Sequence, residues 1–224
     1  DINERIIGAE TLVRWHNPVL GNVSPDEFIY IAEESNLILE LSNWITHHAC
    51  EYAESVYKSL DESSSFSYIS INVSPRQFIQ SDFVESMTSV MESYAIPSIC
   101  IKREFTENIL LVNIDLTIEK IEKLRENNIY FLLDDFGTGY SSLSYLHRLP
   151  INVLKVDKSF VDDLNSAENN TQAIVNAILV MAKELGIECI IEGVELEQHV
   201  EYFKHKGVYG MQGYFYHKPV SVEK

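Results

Sequence analysis

The sequence predicts an α/β fold in one domain, a parallel sheet flanked by helices, and three observations carry that prediction. Short runs rich in Ile, Val, Leu, Tyr and Phe recur along the whole chain. Longer stretches of helical periodicity separate them. No proline- or glycine-rich linker divides the chain. In order, the β-type runs are Ile6 to Trp15, Tyr68 to Ser74, Ile99 to Glu107, Tyr130 to Phe136, Val153 to Asp157, Glu188 to Glu195 and Val208 to Phe215, each of strand length and composition. Ser24-Pro25-Asp26-Glu27 sets an N-cap residue, a proline at the first helical position and a capping-box glutamate ahead of Phe28, Ile31 and Ala32. Ser81-Asp82 opens a second helix carrying Phe83, Val84, Met87 and Met91. A third holds Ile114, Ile118, Ile121 and Leu124 at helical spacing and ends on Asn127-Asn128. A fourth runs from Thr171 to Leu185, with Ile174, Ala177, Ile178 and Met181 on one face and Gly186 as its stop. Seven strands fit either an open doubly wound sheet or a (β/α)8 barrel one strand short of its eight.

Seventeen basic and thirty-four acidic residues among 224 give a net charge of −17. That sign excludes a duplex nucleic-acid binder held by phosphate contacts and argues against docking on an anionic membrane. With 46% hydrophobic and 23% charged residues, the chain has the composition of a globular domain able to bury a core. Cys50, Cys100 and Cys189 lie far apart with no metal-ligand spacing and read as buried, reduced thiols of a cytoplasmic protein. The chain has no run of about 18 apolar residues, so any membrane tether of a full-length protein would lie outside this segment.

Charge interrupts the apolar runs at particular places. Glu10 sits inside the first run and Asn72 follows the second. Glu104 and Glu107 close the third, Asp134 and Asp135 the fourth, Lys155 and Asp157 the fifth, Glu192 and Glu195 the sixth, and Gln212 interrupts the last. In a parallel sheet all C-terminal strand ends share one edge, so these groups meet at one rim. So many buried carboxylates must be neutralised, paired or metal-bound, and Arg14, Arg103 and Lys155 cannot pair them all. Oxygen ligands without His or Cys point to Mg2+ or Mn2+ rather than zinc. A carboxylate rim that holds two such ions suits phosphodiester cleavage. For any one acid, an ion pair or a strand-end cap is as good a reading as a ligand, and the coincidence across the strands carries the inference.

At these residues the sequence becomes recognisable. Gly8-Ala9-Glu10-Thr11-Leu12-Val13-Arg14-Trp15 resembles the opening motif of the EAL-domain cyclic di-GMP phosphodiesterases. So do Ile71-Asn72-Val73-Ser74, Glu104-Phe105-Thr106-Glu107, the ten residues from Asp134 to Leu143 (DDFGTGYSSL), Leu154-Lys155-Val156-Asp157, Glu192-Gly193-Val194-Glu195 and Gln212-Gly213-Tyr214. The resemblance implies a (β/α)8 TIM-type barrel over residues 1–224 that lacks its first N-terminal strand, an N-terminally truncated phosphodiesterase domain. It implies that Glu10, Asn72, Glu104 and Asp134 hold one metal, and that Asp135 holds a second with Asp134 bridging. Lys155 is implied to contact the nucleophilic water, and Glu192 to act as metal ligand or general base. Leu12, Arg14, Asn72 and Gln212 are implied to touch substrate, with Arg14 gripping a phosphate. Glu107 is implied to brace the loop from Asp134 to Ser142, and the region from Asp134 to Leu143 to carry a homodimer contact. Asp157 is expected either to support the metal ligands or to cap a helix at Ser159, with support preferred. Arg103 departs from the family pattern, and strand alternation turns it away from Glu104.

The activity implied is hydrolysis of cyclic di-GMP to linear pGpG with two Mg2+ or Mn2+ ions, in bacterial second-messenger signalling. The alternatives are a catalytically silent cyclic di-GMP receptor and a dimerising interaction module of the same fold. A regulatory or GGDEF-type domain upstream is compatible with either.

Overall fold

The computed structural model describes residues 1–61, 63–111, 113–137, 143–164 and 170–222. Seven parallel strands form one sheet: β1 (Gly8–Thr11), β4 (Tyr68–Asn72), β5 (Ile101–Thr106), β6 (Tyr130–Phe136), β7 (Val153–Val156), β8 (Glu188–Ile191) and β9 (Gly210–Met211), hydrogen-bonded in that order. Every neighbouring pair is parallel, and sequence order equals spatial order, as in a (β/α)8 barrel. The doubly wound alternative needs a reversal of strand order, and there is none.

Between the strands run α1 (Pro25–Glu34), α2 (Ile38–Ser59), α3 (Pro75–Phe78), α4 (Phe83–Glu92), α5 (Ile114–Glu126), α6 (Leu143–Leu146), α7 (Lys158–Asp162), α8 (Thr171–Glu184) and α9 (Glu197–Phe203). Strand alternation separates two apolar layers. Ile69, Ile71, Phe105, Phe131, Leu133, Leu154, Val156 and Ile191 face the helices and join Cys50, Ala53, Met87, Ile121, Leu124, Val175 and Ala182 in the main core. On the other face Tyr68, Leu132, Val153 and Ile190, with Tyr209 against them, fill the inside of the curled sheet. That plug forms the floor beneath the polar residues at the strand ends.

Two edges remain. Among the described residues β1 and β9 do not pair, and side chains cross between them instead. Gln212 Nε2 donates to Glu10 Oε2 at 2.7 Å. Lower down, a Cβ at Gly210 would come 3.1 Å from Ile7 Cδ1.

Several local expectations are modified. The run Ile6 to Trp15 shortens to β1, and its last residue instead opens an antiparallel hairpin of β2 (Trp15–Asn17) and β3 (Gly21–Val23), with Gly21 at φ 73°. Ser24 is the N-cap of α1, with Pro25 at N1, but its hydroxyl makes no capping bond. In α5 the N-cap is Asn113, whose side chain accepts from the Leu116 N–H at 3.1 Å, and Asn128 at φ 58° ends it. Gly186 stops α8 at φ 71°, as the sequence predicts. The three cysteines are free and buried. No helix among the described residues is long and apolar enough to cross a membrane. Residues 138–142, within the expected dimer contact, lie outside the described residues.

Candidate active site

The site is built around a buried ammonium. Lys155 points inward from β7, its side chain 1% exposed, with Nζ 2.8 Å from Glu104 Oε2, 2.8 Å from Glu192 Oε1, 3.1 Å from Asp134 Oδ1 and 3.4 Å from Glu10 Oε2. Those carboxylates come from β5, the end of β8, β6 and β1, so four strands converge on one cation. Two neutral amides complete the ring. Asn72 Nδ2 donates to Glu10 Oε1 at 2.9 Å, and Gln212 donates to the other oxygen of the same carboxylate. The Asn72 amide thus spends its N–H on Glu10, leaving its carbonyl oxygen as the donor atom for a cation.

Adjacent residues of a strand normally face opposite sides, yet Asp134 and Asp135 both serve this rim. The reason is a bulge. Leu133 pairs with Leu154 and Phe136 with Val156, so β6 uses three steps where β7 uses two. Asp135 absorbs the extra residue at φ 54°, a left-handed conformation that an Asp tolerates better than most residues. Its N–H donates to Asp134 Oδ1 at 3.0 Å.

Electrostatics follow from four acids around one base. Burial pushes the Glu104 carboxyl up to about 7 and the Glu192 carboxyl to about 8, against the opposing pull of Lys155. Burial also acts upward on Glu10, but Lys155 and the bonds from Gln212 and Asn72 outweigh it and leave that carboxyl below its ordinary value. Asp135 is raised by burial and then by Asp134. Burial alone would lower Lys155, but Glu104, Glu10, Glu192 and Asp134 hold it well above its ordinary value. The cluster therefore carries more carboxylate than its one lysine neutralises, and two members keep protons near neutrality.

Such a donor set fits divalent cations. Oxygens of Glu10, Glu104 and Asp134 lie within 4.8 Å of one another, and so do oxygens of Asp134, Asp135 and Glu192. The two groups share Asp134 and contain hard oxygen donors without His or Cys.

The other residues singled out in the sequence fall around this centre. Arg14 lies exposed just beyond β1, donating to the Val13 carbonyl at 2.9 Å and forming no ion pair among the described residues. Leu12 is exposed beside it. Glu107 Oε1 accepts from the Gly137 N–H at 3.1 Å, holding the chain just past Asp135. Asp157 is the N-cap of α7, accepting from the Ser159 N–H at 3.0 Å and from its hydroxyl. Of the two readings of Asp157, the helix cap is what its bonds record, although its charge still reaches Asp135. Glu195 stays outside the ring, 3.8 Å from Lys158 Nζ. Arg103 faces away from Glu104, fully buried against α2 and α4, with Nη1 3.3 Å from Thr46 Oγ1. His16 bonds Asn22 across the hairpin, His47 bonds Tyr94 and His48 stacks on Trp44, so none of the three serves the site.

Sequence reasoning missed what holds the Glu192 turn. A Cβ at Gly213 would come within 3.0 Å of the Val194 backbone, and the Val194 N–H donates to the Gln212 carbonyl at 3.0 Å. The glycine is visible in the sequence, but its partner nineteen positions earlier is not.

A curled parallel sheet with a shared carboxylate centre at its C-terminal rim defines a barrel-type domain with an acidic cluster able to hold a metal ion. Comparison with known proteins identifies the family: the chain matches the EAL domain over residues 1–219 and belongs to that family. It is 35% identical over 213 residues, 95% of its length, to cyclic di-GMP phosphodiesterase NbdA of Pseudomonas aeruginosa. It is 34% identical over 214 residues, 96% of its length, to the probable cyclic di-GMP phosphodiesterase PdeG of Escherichia coli. The chain spans 27% of NbdA and 41% of PdeG. Among solved structures, the PaMucR phosphodiesterase in complex with c-di-GMP superposes with a TM-score of 0.89 at 30% identity, covering 96% of this chain and 85% of that one.

Proposed function

We propose that this domain hydrolyses cyclic di-GMP to linear pGpG. The observation that carries the reading is the pair of overlapping carboxylate groups that share Asp134 around Lys155. Family membership, and relatives and a solved neighbour named for the same nucleotide, support it.

Glu10, Asn72, Glu104 and Asp134 would hold one ion, and Asp134, Asp135 and Glu192 a second, with Mg2+ or Mn2+ suited to the donor set. Ions bound there supply charge for the phosphoryl oxygens and a water of lowered pKa. Arg14 grips a non-reacting phosphate, and Leu12 and Gln212 line the nucleotide. Lys155 orients the attacking water. Its oxygen bonds to phosphorus in line as the bond to the 3′ oxygen breaks, and Glu192 takes the water's proton. Glu107 steadies the Gly137 peptide during turnover. The domain works as a homodimer whose contact includes Asp134–Leu143, a point for sedimentation to check.

The test is incubation with cyclic di-GMP and Mn2+, following binding and product together. Turnover that disappears in Glu10→Ala supports the reading. Binding without turnover would instead favour a receptor, and absence of both would favour an interaction module. Ca2+ should inhibit, because it accepts looser coordination than Mg2+.

A further inference from the structure

We propose that α7 is a spacer setting the separation between the Asp134–Asp135 pair and Glu192, with Phe160 and Lys158 as positioning residues for the second carboxylate group. This rests on the metal-dependent reading above. Lys155 draws Asp134 and Glu192 together, but it does not set the backbone turns that bring the oxygens of all three acids within 4.8 Å. The backbones that carry them must be held from outside. Two turns do the carrying: Gly137 follows Asp135 by two residues, and Gly193 follows Glu192 directly. Both glycines have positive φ, 99° and 69°.

The five-residue helix α7 touches both turns. A Cβ at Gly137 would lie 2.6 Å from Phe160 Cζ, so the Phe160 ring rests on that peptide. Glu107 holds the same residue through its N–H. A Cβ at Gly193 would lie 3.0 Å from Lys158 Cα and nearer still to its Cβ, so the first residue of α7 rests on the other turn. Asp157 caps the helix and fixes its first turn, and Val161, fully buried, anchors it to the core. Lys155, which contacts Asp134 and Glu192, lies two residues before this cap, with Val156 closing the strand between them. Thus α7 acts as a wedge between the two arms of the group.

The experiment is a Mn2+ titration of the full chain by electron paramagnetic resonance, with thermal melts alongside. The parent should bind two ions. In Phe160→Ala one of the two ions should lose about tenfold in affinity, the usual size of an outer-sphere loss, with the other unchanged. Phe160→Leu, which fills most of the space and folds more readily, should recover most of the affinity. Lys158→Gly should repeat the selective loss, while Lys158→Ala, which keeps its Cβ on Gly193, should match the parent. Met87→Ala, a core truncation in α4, should lower the melting temperature without separating the two affinities. Parent-like binding of both ions by Phe160→Ala and Lys158→Gly would overturn the role of α7 alone, as would equal weakening of both sites. A parent that binds no Mn2+ would overturn the metal-dependent reading and this inference with it.

Discussion

Without metal, the Lys155 ammonium holds four acidic side chains together in a closed space. Removing one partner of a buried ion pair costs about 3–5 kcal/mol, because the remaining charge has nowhere to go. Lys155→Ala should therefore melt well below the parent in chelator, and added Mn2+ should return much of the difference while hydrolysis stays lost. Proton occupancy gives a second expectation. Glu104 and Glu192 hold protons up to about 7 and about 8, and a cation must displace them. Mn2+ affinity should thus climb from pH 6 to pH 8.5, with protons released on binding in unbuffered calorimetry, and a flat profile would contradict the assignment of those pKa shifts. The acids of this centre were legible from the sequence because each interrupts an apolar run. The lysine's state was not, since it depends on four residues separated by up to 182 positions of chain.

At the scale of single elements, the bulge in β6 explains how a two-faced strand aims consecutive aspartates at one rim. Asp135→Asn should keep the left-handed backbone, melt near the parent and lose one of the two Mn2+ ions. Asp135→Val should lose stability as well, by about 1–2 kcal/mol, because a branched Cβ fits poorly at φ 54°. Gly213→Ala should be more damaging, since its methyl meets the Val194 main chain, which cannot swing aside. A melting temperature and activity equal to the parent's would refute that contact. The seven strand runs were legible because alternation and β-branched composition are local. Their ends were not: Glu192 and Gln212 sit just past β8 and β9, where composition still looks strand-like but ladder pairing has stopped. The hairpin Trp15–Val23 was not singled out beyond Trp15, nor was the 22-residue α2. Register shifts and long-range packing leave no local mark in sequence.

For the whole molecule, the charge of −17 separates two modes of phosphate recognition. A surface this acidic repels a nucleic-acid backbone, whereas a few acids gathered with cations at one rim can receive a small phosphodiester. The fold class was legible from alternation alone, but the choice of barrel over open sheet needed the strand order. The gap between β1 and β9 has a mechanical meaning as well. The bond across it at the rim, Gln212 to Glu10, belongs to a metal-ligand candidate, so the candidate site doubles as the clasp of the cylinder. Each ion bound at a hundredfold excess over its Kd should add about 2.7 kcal/mol, or roughly 5–10 °C in a domain of this size. The extra protection from amide exchange should concentrate on the outermost strands. Ions bound at the candidate site would then tighten the cylinder at its weakest line, a bound cation acting there as a hoop.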